Sequence, residues 1–237
     1  GKPNCGAKFR QILAENRFKM KKSISVIIPN YCGKALLEKY LPSVFSALES
    51  SINISAYEVI VVDDASTDSS IDFLEENFPS VILIKSPFNQ GFSKTSNLGI
   101  SSAKYDLVLM LNNDMQVATD FFDTLIPLFI SNENIFGVFS KIYDASHQTV
   151  LEAQKLPLIK SSEIRYADNI SASLQDFSFY LCGGNMLLDR NKLVALKGFN
   201  TIYSPFYFED FDLSIRAWKR GWECVFSPDT YSLHCHS

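Results

Sequence analysis

The sequence lacks the long apolar runs, paired cysteines and glycine-rich loops that mark several large classes of protein. Its apolar runs are strand-sized, such as Leu107–Leu111, whereas a membrane-spanning helix needs about 20 apolar residues. Five cysteines in 237 residues are too sparse for a disulfide scaffold, and the absence of a CxxC pair argues against a zinc ribbon. It contains neither GxGxxG nor GxxxxGKS/T, so the usual glycine-rich phosphate-binding loops are missing.

The N-terminal residues also lack the charged, apolar and small-residue order of a secretory signal peptide. An odd number of cysteines without such a signal favours reduced, mostly buried thiols in a cytosol-like compartment. We therefore expect a cytoplasmic protein, or one that lies at the cytoplasmic face of a membrane.

Charge is present but unevenly distributed. The chain has 22 basic and 26 acidic side chains, a net charge of −4. Residues 1–22 hold seven of the bases and one acid, which leaves 15 bases and 25 acids, or −10, for the remainder. A body that acidic is a poor ligand for nucleic acid, so we expect no nucleic-acid partner. The basic lead-in of residues 1–22 suits either peripheral contact with an anionic membrane or a solvated tail.

From Ser23 onward, short apolar runs alternate with segments of helical periodicity. Strands are predicted at residues 24–28, 57–62, 81–84 and 107–111, with helices at 35–48, 69–77 and 93–103. This order predicts an α/β fold of a single domain, with a mostly parallel sheet and helices on both faces. In the less regular second half we predict helices at 120–130 and 210–220, strands at 137–142 and 185–188, and a looped polar excursion at 144–178.

Two polar clusters directly follow buried strands, at residues 63–68 and 112–114. In an open parallel sheet, ligands bind outside the carboxyl ends of the strands, so both clusters should border one crevice. The same residue types also cap helices, which is the alternative explanation. If the ligand carries phosphate, a divalent cation held by Asp114 would replace the missing glycine-rich loop.

A third cluster places Glu209, Asp210 and Asp212 in the first turn of a predicted helix. Helix capping explains these acids without any catalysis. A helix N-terminus also keeps a carboxylate ionised and able to accept a proton. Near the end of the sequence, His234 and His236 share one face of a predicted strand, and one of them is a candidate metal ligand.

Taken in order, these segments resemble the inverting family 2 glycosyltransferases, which have the Rossmann-like GT-A fold. The resemblance covers about residues 23–236 and is carried by ISVIIPNY (24–31), VVDDASTDS (61–69), NQGF (89–92), NLG (97–99), LNND (111–114), GGNMLL (183–188) and EDFDLSIR (209–216). It implies a nucleotide-binding half at residues 23–114 and an acceptor-binding half at 115–237, within a catalytic domain of residues 23–237.

The resemblance also implies roles for individual residues. Asp64 would bind the uracil or thymine base, and the donor pocket would further include Pro29, Asn30, Tyr31, Asn97, Asn113, Gly183 and Gly184. Asp114, the last residue of a DxD-like motif that reads Asn112-Asn113-Asp114, would bind Mn²⁺ or Mg²⁺ with help from His234. Asp210 would be the general base, and Glu209 would orient the acceptor or the base.

The implied function is metal-assisted transfer of a hexosyl or deoxyhexosyl group, with inversion, from a UDP- or dTDP-sugar to an acceptor hydroxyl. The subgroup that the sequence resembles most includes rhamnosyltransferase-like enzymes of bacterial polysaccharide assembly. This implies a role in cell-surface glycan synthesis and a saccharide or lipid-linked acceptor.

Two alternatives compete with this interpretation. A sugar-phosphate nucleotidyltransferase is disfavoured because its glycine-rich GGxGTRL-like loop is replaced by PNYCG at residues 29–33. A non-catalytic module that binds a saccharide or a partner is favoured only by the replacement of the first acid of the DxD motif by Asn112.

Overall fold

The structure is a computed structural model that describes residues 21–160 and 163–235. Its first half alternates strands and helices as predicted: β1 (Lys22–Asn30), α1 (Lys34–Ser50), β2 (Ile54–Asp63), α2 (Ser70–Asn77), β3 (Ile82–Lys85), α3 (Phe92–Ser102) and β4 (Leu107–Leu111). The predicted basic lead-in lies outside the described residues apart from Lys21 and Lys22, and so do Cys5 and His236.

The second half contains more strands than the sequence predicted. Its elements are β5 (Met115–Val117), α4 (Phe121–Ser131), β6 (Ile135–Asp144), β7 (Val150–Glu152), β8 (Gln154–Lys160), β9 (Glu163–Asn169), β10 (Asp176–Phe177), β11 (Asn185–Asp189), α5 (Arg190–Ala195), a 3₁₀ turn (Thr201–Tyr203), α6 (Glu209–Trp218) and β12 (Glu223–His234). No helix in the described part of the chain is both long and apolar enough to cross a bilayer.

The main sheet has the strand order β10-β12-β6-β11-β4-β1-β2-β3. It is parallel from β4 through β3 and between β12 and β6, but β11 runs antiparallel to both of its neighbours. This reversal has a consequence for the site. Because Asn185 pairs with Leu111, the residues that precede β11 lie beside those that follow β4.

Each face of the sheet is covered by its own hydrophobic core. Ile24, Val26 and Ile28 of β1 pack into the core that includes α1, α2 and α4. Ile27 faces the opposite core, which includes α3, α5 and α6. Burial on both faces explains why the central strands are continuous apolar runs, and the prediction of an α/β sheet with helices on both faces is confirmed.

The prediction of loops at residues 144–178 is wrong over much of its length, because the segment contains β7, β10 and the β8–β9 hairpin. This hairpin pairs Gln154–Lys160 with Glu163–Asn169 as a separate two-stranded sheet. Leu156, Leu158 and Tyr166 are exposed, so these apolar side chains of the hairpin do not pack into the core. It is anchored instead by polar groups, including the buried side chains of Gln154 and Lys155.

The four described cysteines are all free thiols. Cys224 and Cys235 are buried and Cys182 is half-buried, in line with the expectation of mostly buried thiols. Cys32 differs, since it is exposed in the turn between β1 and α1.

Candidate functional site

Two adjoining clefts lie at the edge of the sheet where β1, β2 and β4 end. The first cleft, about 330 Å³ in volume, is lined by Pro29, Asn30, Tyr31, Asp64, Asn89, Gly91, Phe92, Thr95, Asn112, Asn113, Asp114, Pro205 and Phe206. The second cleft, about 290 Å³, is lined by Phe92, Asn112, Ile142, Glu152, Cys182, Gly183, Gly184, Phe206, Tyr207, Glu209, Asp210 and His234. Phe92, Asn112 and Phe206 line both, so the two clefts form one continuous depression.

The fold therefore brings together nearly all of the residues singled out in the sequence. Those predicted around the nucleoside lie in the first cleft, together with Asp114. Those predicted around the donor sugar and the acceptor lie in the second cleft, together with His234. The exception is Asn97, which lines neither cleft.

Asp64 lies at the end of β2 and is almost fully buried. Its carboxylate accepts hydrogen bonds from the backbone N–H groups of Gln90 and Gly91, at 2.9 to 3.0 Å. These amides directly precede α3. The alternative explanation, that the polar residues after the strands cap helices, therefore applies in part to Asp64. The carboxylate nevertheless lines the first cleft, where the backbone amides hold it in one orientation.

A short chain of amide and carboxylate groups links the ends of β1, β2 and β4. The side chain of Asn113 donates to Oδ1 of Asn30 at 2.8 Å, and Asn30 in turn donates to Asp63 at 3.0 Å. An ionised carboxylate at position 113 has no N–H to donate to Asn30 Oδ1. The amide at this position is therefore part of the way the crevice is held together.

Asp114 and His234 form the pair from which a metal site would be built. Nε2 of His234 lies 3.0 Å from Oδ2 of Asp114, and the N–H of Cys235 donates to the Asp114 carbonyl at 3.0 Å. Antiparallel pairing of β5 with β12, with His234 opposite Met115, brings the two side chains together. The described residues contain no group of three or more potential metal ligands. A carboxylate and an imidazole fit an ion such as Mn²⁺ that takes its remaining ligands from phosphate or water.

Asp210 lies in the first turn of α6 at the floor of the second cleft. Its Oδ2 accepts from the N–H of Gly183 at 3.0 Å, and its Oδ1 accepts from the N–H of Phe211 at 2.7 Å. Burial raises the pKa of Asp210 above its usual value, against the lowering effect of these two amides, and the charge of Glu152 raises it further. Burial thus outweighs the amides of the helix N-terminus, and the raised pKa makes the carboxylate a stronger proton acceptor.

Glu209 precedes Asp210 and is only 8% exposed. Burial raises the pKa of Glu209, and the neighbouring charge of Asp210 raises it further. Its Oε2 accepts no hydrogen bond from any residue within the described ranges. A buried carboxylate oxygen of this kind is costly, and a ligand hydroxyl in the second cleft would relieve the cost.

Gly183 is next to both the base candidate and the cleft. A Cβ at this position would lie 3.3 Å from Oδ2 of Asp210, which is tighter than ordinary contact. The glycine therefore permits the close approach that lets its own N–H bind Asp210. Gly184 faces Met115 and Ile142, where a Cβ would be 3.4 Å or more from its neighbours.

Asn97 has a different place from the one expected. Its side chain donates to the carbonyl of Phe199 at 2.8 Å and accepts from the N–H of Phe199 at 2.9 Å. Both ends of the amide are used to join α3 to the segment after α5. We therefore assign Asn97 a structural role and remove it from the donor pocket.

Glu152, Phe206 and Tyr207 are among the residues of the second cleft that sequence reasoning missed. Phe206 and Tyr207 are 57% and 73% exposed, and they lie in a run of three aromatic residues directly before α6. Exposed aromatic side chains often mark a binding surface, and the run of three aromatic residues was visible in the sequence. Glu152 gave no comparable signal, because it lies in the segment predicted as loops.

Comparison with known proteins gives three informative matches. The uncharacterized glycosyltransferase YfnE of Bacillus subtilis (strain 168) is 23% identical over 256 residues, which cover 89% of this chain and 64% of YfnE. The N-acetylglucosaminyl-diphospho-decaprenol L-rhamnosyltransferase of Mycobacterium tuberculosis (strain CDC 1551 / Oshkosh) is 23% identical over 237 residues, covering 89% of this chain and 75% of that enzyme. The crystal structure of GalNAc-T7 with UDP, GalNAc and Mn²⁺ superposes with a TM-score of 0.75 at 16% identity, over 91% of this chain and 43% of that one.

The chain spans 64% of YfnE and 34% to 37% of two other curated relatives. The structural likeness shows the fold, which is the single-domain α/β fold of GT-A glycosyltransferases. The family model described as glycosyl transferase family 2 matches residues 25–196. Since this match covers well over half of the chain, the protein belongs to glycosyl transferase family 2.

Proposed function

We propose that this protein transfers a glycosyl group from a nucleotide-diphosphate sugar to an acceptor hydroxyl, with inversion and with the help of a divalent metal. The observation that carries the proposal is the continuous pair of clefts, which exposes the Asp114–His234 pair and the buried carboxyl of Asp210 to one ligand-sized space. Single displacement at an anomeric carbon needs one proton acceptor and one site of charge neutralisation.

In this proposal the first cleft binds the nucleotide. Asp64 would accept a hydrogen bond from the base with electron pairs that the Gln90 and Gly91 amides leave available. Tyr31 is 54% exposed at the cleft and offers its ring as a stacking surface. A UDP- or dTDP-sugar is the proposed donor, and the UDP bound by GalNAc-T7 supports the uracil nucleotide.

Asp114 and His234 would hold the metal. When bound, Mn²⁺ or Mg²⁺ supplies positive charge to the departing diphosphate in a chain whose residues 23–237 carry a net charge of −10. The imidazole ligand favours Mn²⁺ over Mg²⁺, and Mn²⁺ accompanies UDP in the GalNAc-T7 crystal structure.

Asp210 would take the proton from the acceptor hydroxyl in the second cleft. The N–H of Gly183 holds the Asp210 carboxylate in place. The raised pKa of Asp210 makes this carboxylate a better proton acceptor. Gly183 and Gly184 leave room for the donor sugar between the metal pair and the base. A single base on the acceptor side predicts inversion.

The finer assignment concerns donor and acceptor. We propose a deoxyhexosyl donor and a lipid-linked saccharide acceptor in bacterial cell-surface glycan synthesis, because the M. tuberculosis relative is a rhamnosyltransferase that acts on a decaprenol-linked diphosphate sugar. This acceptor would put the protein at the cytoplasmic face of a membrane, where the seven bases of residues 1–22 suit an anionic surface.

The test is a panel of nucleotide sugars measured by thermal shift with and without Mn²⁺, followed by product analysis with donors that bind. We expect stabilisation by UDP- or dTDP-sugars that depends on Mn²⁺, and turnover or slow donor hydrolysis of the same donors. Asp72→Asn, on the exposed face of α2, is the control and should match the wild-type chain. Donor binding without turnover under any condition would favour the non-catalytic saccharide-binding alternative.

A further inference from the structure

A buried cation lies behind the second cleft. The side chain of Lys155 is 2% exposed, and its ammonium group forms ion pairs with Asp168, at 2.5 Å, and with Glu152. The same nitrogen lies 5.7 Å from the ring centroid of Tyr166 and 5.5 Å from that of Tyr180. Burial alone would lower the pKa of Lys155, but the bonds to Asp168 and Glu152 raise it, so the ammonium group stays charged.

This cluster joins the hairpin to the helix that carries the base. Tyr180 packs edge-on against Phe211, the residue after Asp210, with ring centroids 5.6 Å apart. The backbone N–H of Lys155 donates to Ser178 at 2.9 Å, which fixes β8 to the segment leading into the second cleft. An ordinary buried ion pair explains why Lys155 and Asp168 lie next to each other.

The ion pair alone does not account for the position of Glu152. Its side chain is 35% exposed, and it lines the second cleft beside Glu209 and Asp210. The cleft is thus bordered by three carboxyl groups, while the ammonium group of Lys155 is buried behind one of them. Glu209 adds an independent observation, since it is nine-tenths buried, lines the same cleft, and has an Oε2 that accepts nothing from the described residues.

The Oε2 of Glu209 lacks a donor among the described residues, and Glu152, although paired with Lys155, is partly exposed at the cleft, so a ligand that supplies donors suits both carboxylates. Hydroxyl groups do so, and an Asp or Glu carboxylate accepts them as charge-assisted hydrogen bonds. A phosphate or carboxylate group at this place would face three acids of the same sign in a partly desolvated space, where repulsion is strong.

We propose that Glu152 recognises the acceptor: with Glu209 it binds hydroxyl groups of an uncharged saccharide unit beside Asp210, and it selects against anionic units. Lys155 is the positioning residue that holds Glu152 at the cleft. This inference rests on the proposed function, and it places acceptor selection in the β7–β9 segment, separate from the donor cleft.

The test compares Glu152→Gln with Asp168→Asn in the same chain. Each substitution removes one carboxylate from the ion-pair cluster around Lys155, but only Glu152 lines the cleft. The probes are methyl glycosides of neutral hexoses and deoxyhexoses and the matching methyl uronides, measured with one donor and Mn²⁺. Melting temperatures of both variants establish that they fold.

We expect Glu152→Gln to raise the KM for neutral acceptors by about 10-fold or more, as for a lost hydrogen bond to a charged group, and to leave the donor KM unchanged. It should also narrow the preference for the neutral acceptor over its uronide, whereas Asp168→Asn should change neither quantity. Equal acceptor KM values and equal neutral-to-uronide ratios in the wild-type chain and Glu152→Gln would overturn the proposal.

Failure of the proposed function would look different, because the wild-type chain would then turn over no donor at all. In that case the same glycosides and uronides are compared by saturation-transfer NMR as ligands. Neutral-selective binding that Glu152→Gln abolishes supports the recognition site without catalysis, and binding that is absent or equal in both chains overturns it.

Discussion

Both halves of the molecule bond a site carboxylate to backbone amides, Asp64 in the first and Asp210 in the second, but in the second half Glu209 also has a buried oxygen without such a partner among the described residues. In the first half, the carboxylate of Asp64 is bonded to backbone amides, and Asn30 is held between Asp63 and Asn113. In the second half, Glu209 is buried with one oxygen that accepts nothing from the described residues, and burial raises the pKa of both Glu209 and Asp210. The first arrangement completes the fold, whereas the second leaves hydrogen-bonding capacity for a ligand. The following substitutions test this contrast.

The largest effect is expected for Asp210→Asn. Loss of a general base lowers kcat by about 10² to 10⁴-fold, while binding of the donor in the first cleft continues. Single-turnover transfer measures the first quantity, and calorimetric titration of the donor with Mn²⁺ measures the second.

The pH dependence of kcat/KM in the wild-type chain also tests the role of Asp210. Because the pKa of Asp210 is raised, kcat/KM should fall on the acid side at a pH above the ordinary carboxyl value of about 4. An Asp210→Asn variant that keeps wild-type turnover would remove Asp210 from the mechanism.

Asp114→Ala should act through the metal. We expect donor affinity in Mn²⁺ to fall at least about 10-fold, since one of the two proposed protein ligands is lost. The measurement is donor titration with Mn²⁺ and again with a chelator, where the wild-type and variant chains should converge. A wild-type affinity that the chelator leaves unchanged would contradict a metal at Asp114 and His234.

Asp64→Ala tests the first half as a part of the fold. Removal of the carboxylate leaves the N–H groups of Gln90 and Gly91 without their acceptor, which costs about 1–3 kcal/mol. In a domain of this size each kcal/mol lowers the melting temperature by about 2–4 °C. Thermal unfolding of the chain without ligand measures the loss, with Asp72→Asn as the control. An unchanged melting temperature would show that the amides find other partners at no cost.

Glu209→Gln should have the smallest effect, and it should raise the melting temperature rather than lower it. A carboxyl whose folded pKa is raised stabilises the fold below its unfolded pKa of about 4, and this stability is lost as pH rises through the folded pKa. The neutral amide avoids that loss, so the variant should melt above the wild-type chain at pH 7. The difference should disappear near pH 4.

Glu76→Gln, at an exposed position of α2, is the matched control for Glu209→Gln. It should leave the melting temperature unchanged at both pH values. A Glu209→Gln variant that is less stable than the wild-type chain at pH 7 would show that the carboxylate is satisfied in the folded protein.

The contrast between the halves also explains which features the sequence could predict. Leu107–Leu111 is buried on both faces, and its apolar run predicted the strand to the residue, whereas the runs at 24–28 and 57–62 predicted only part of β1 and β2. The acids after these strands were found because the carboxyl ends of parallel strands meet at one edge. The β8–β9 hairpin escaped prediction because polar groups anchor it, and Glu152 escaped with it.

Long-range contacts set a second limit on prediction from the sequence. The pairing of Asn97 with Phe199 joins residues 102 positions apart, and no local pattern indicates that both ends of its amide are used. The raised pKa of Asp210 comes mainly from burial, which helix position in the sequence does not indicate.

The most direct test of the central claim is the anomeric configuration of the first transfer product, read by proton NMR before any equilibration. With Asp210 as the one proposed base on the acceptor side, a single displacement predicts a glycosidic bond of configuration opposite to that of the donor. A product that retains the donor configuration would contradict the account, because a single displacement by a hydroxyl that Asp210 deprotonates inverts the anomeric carbon.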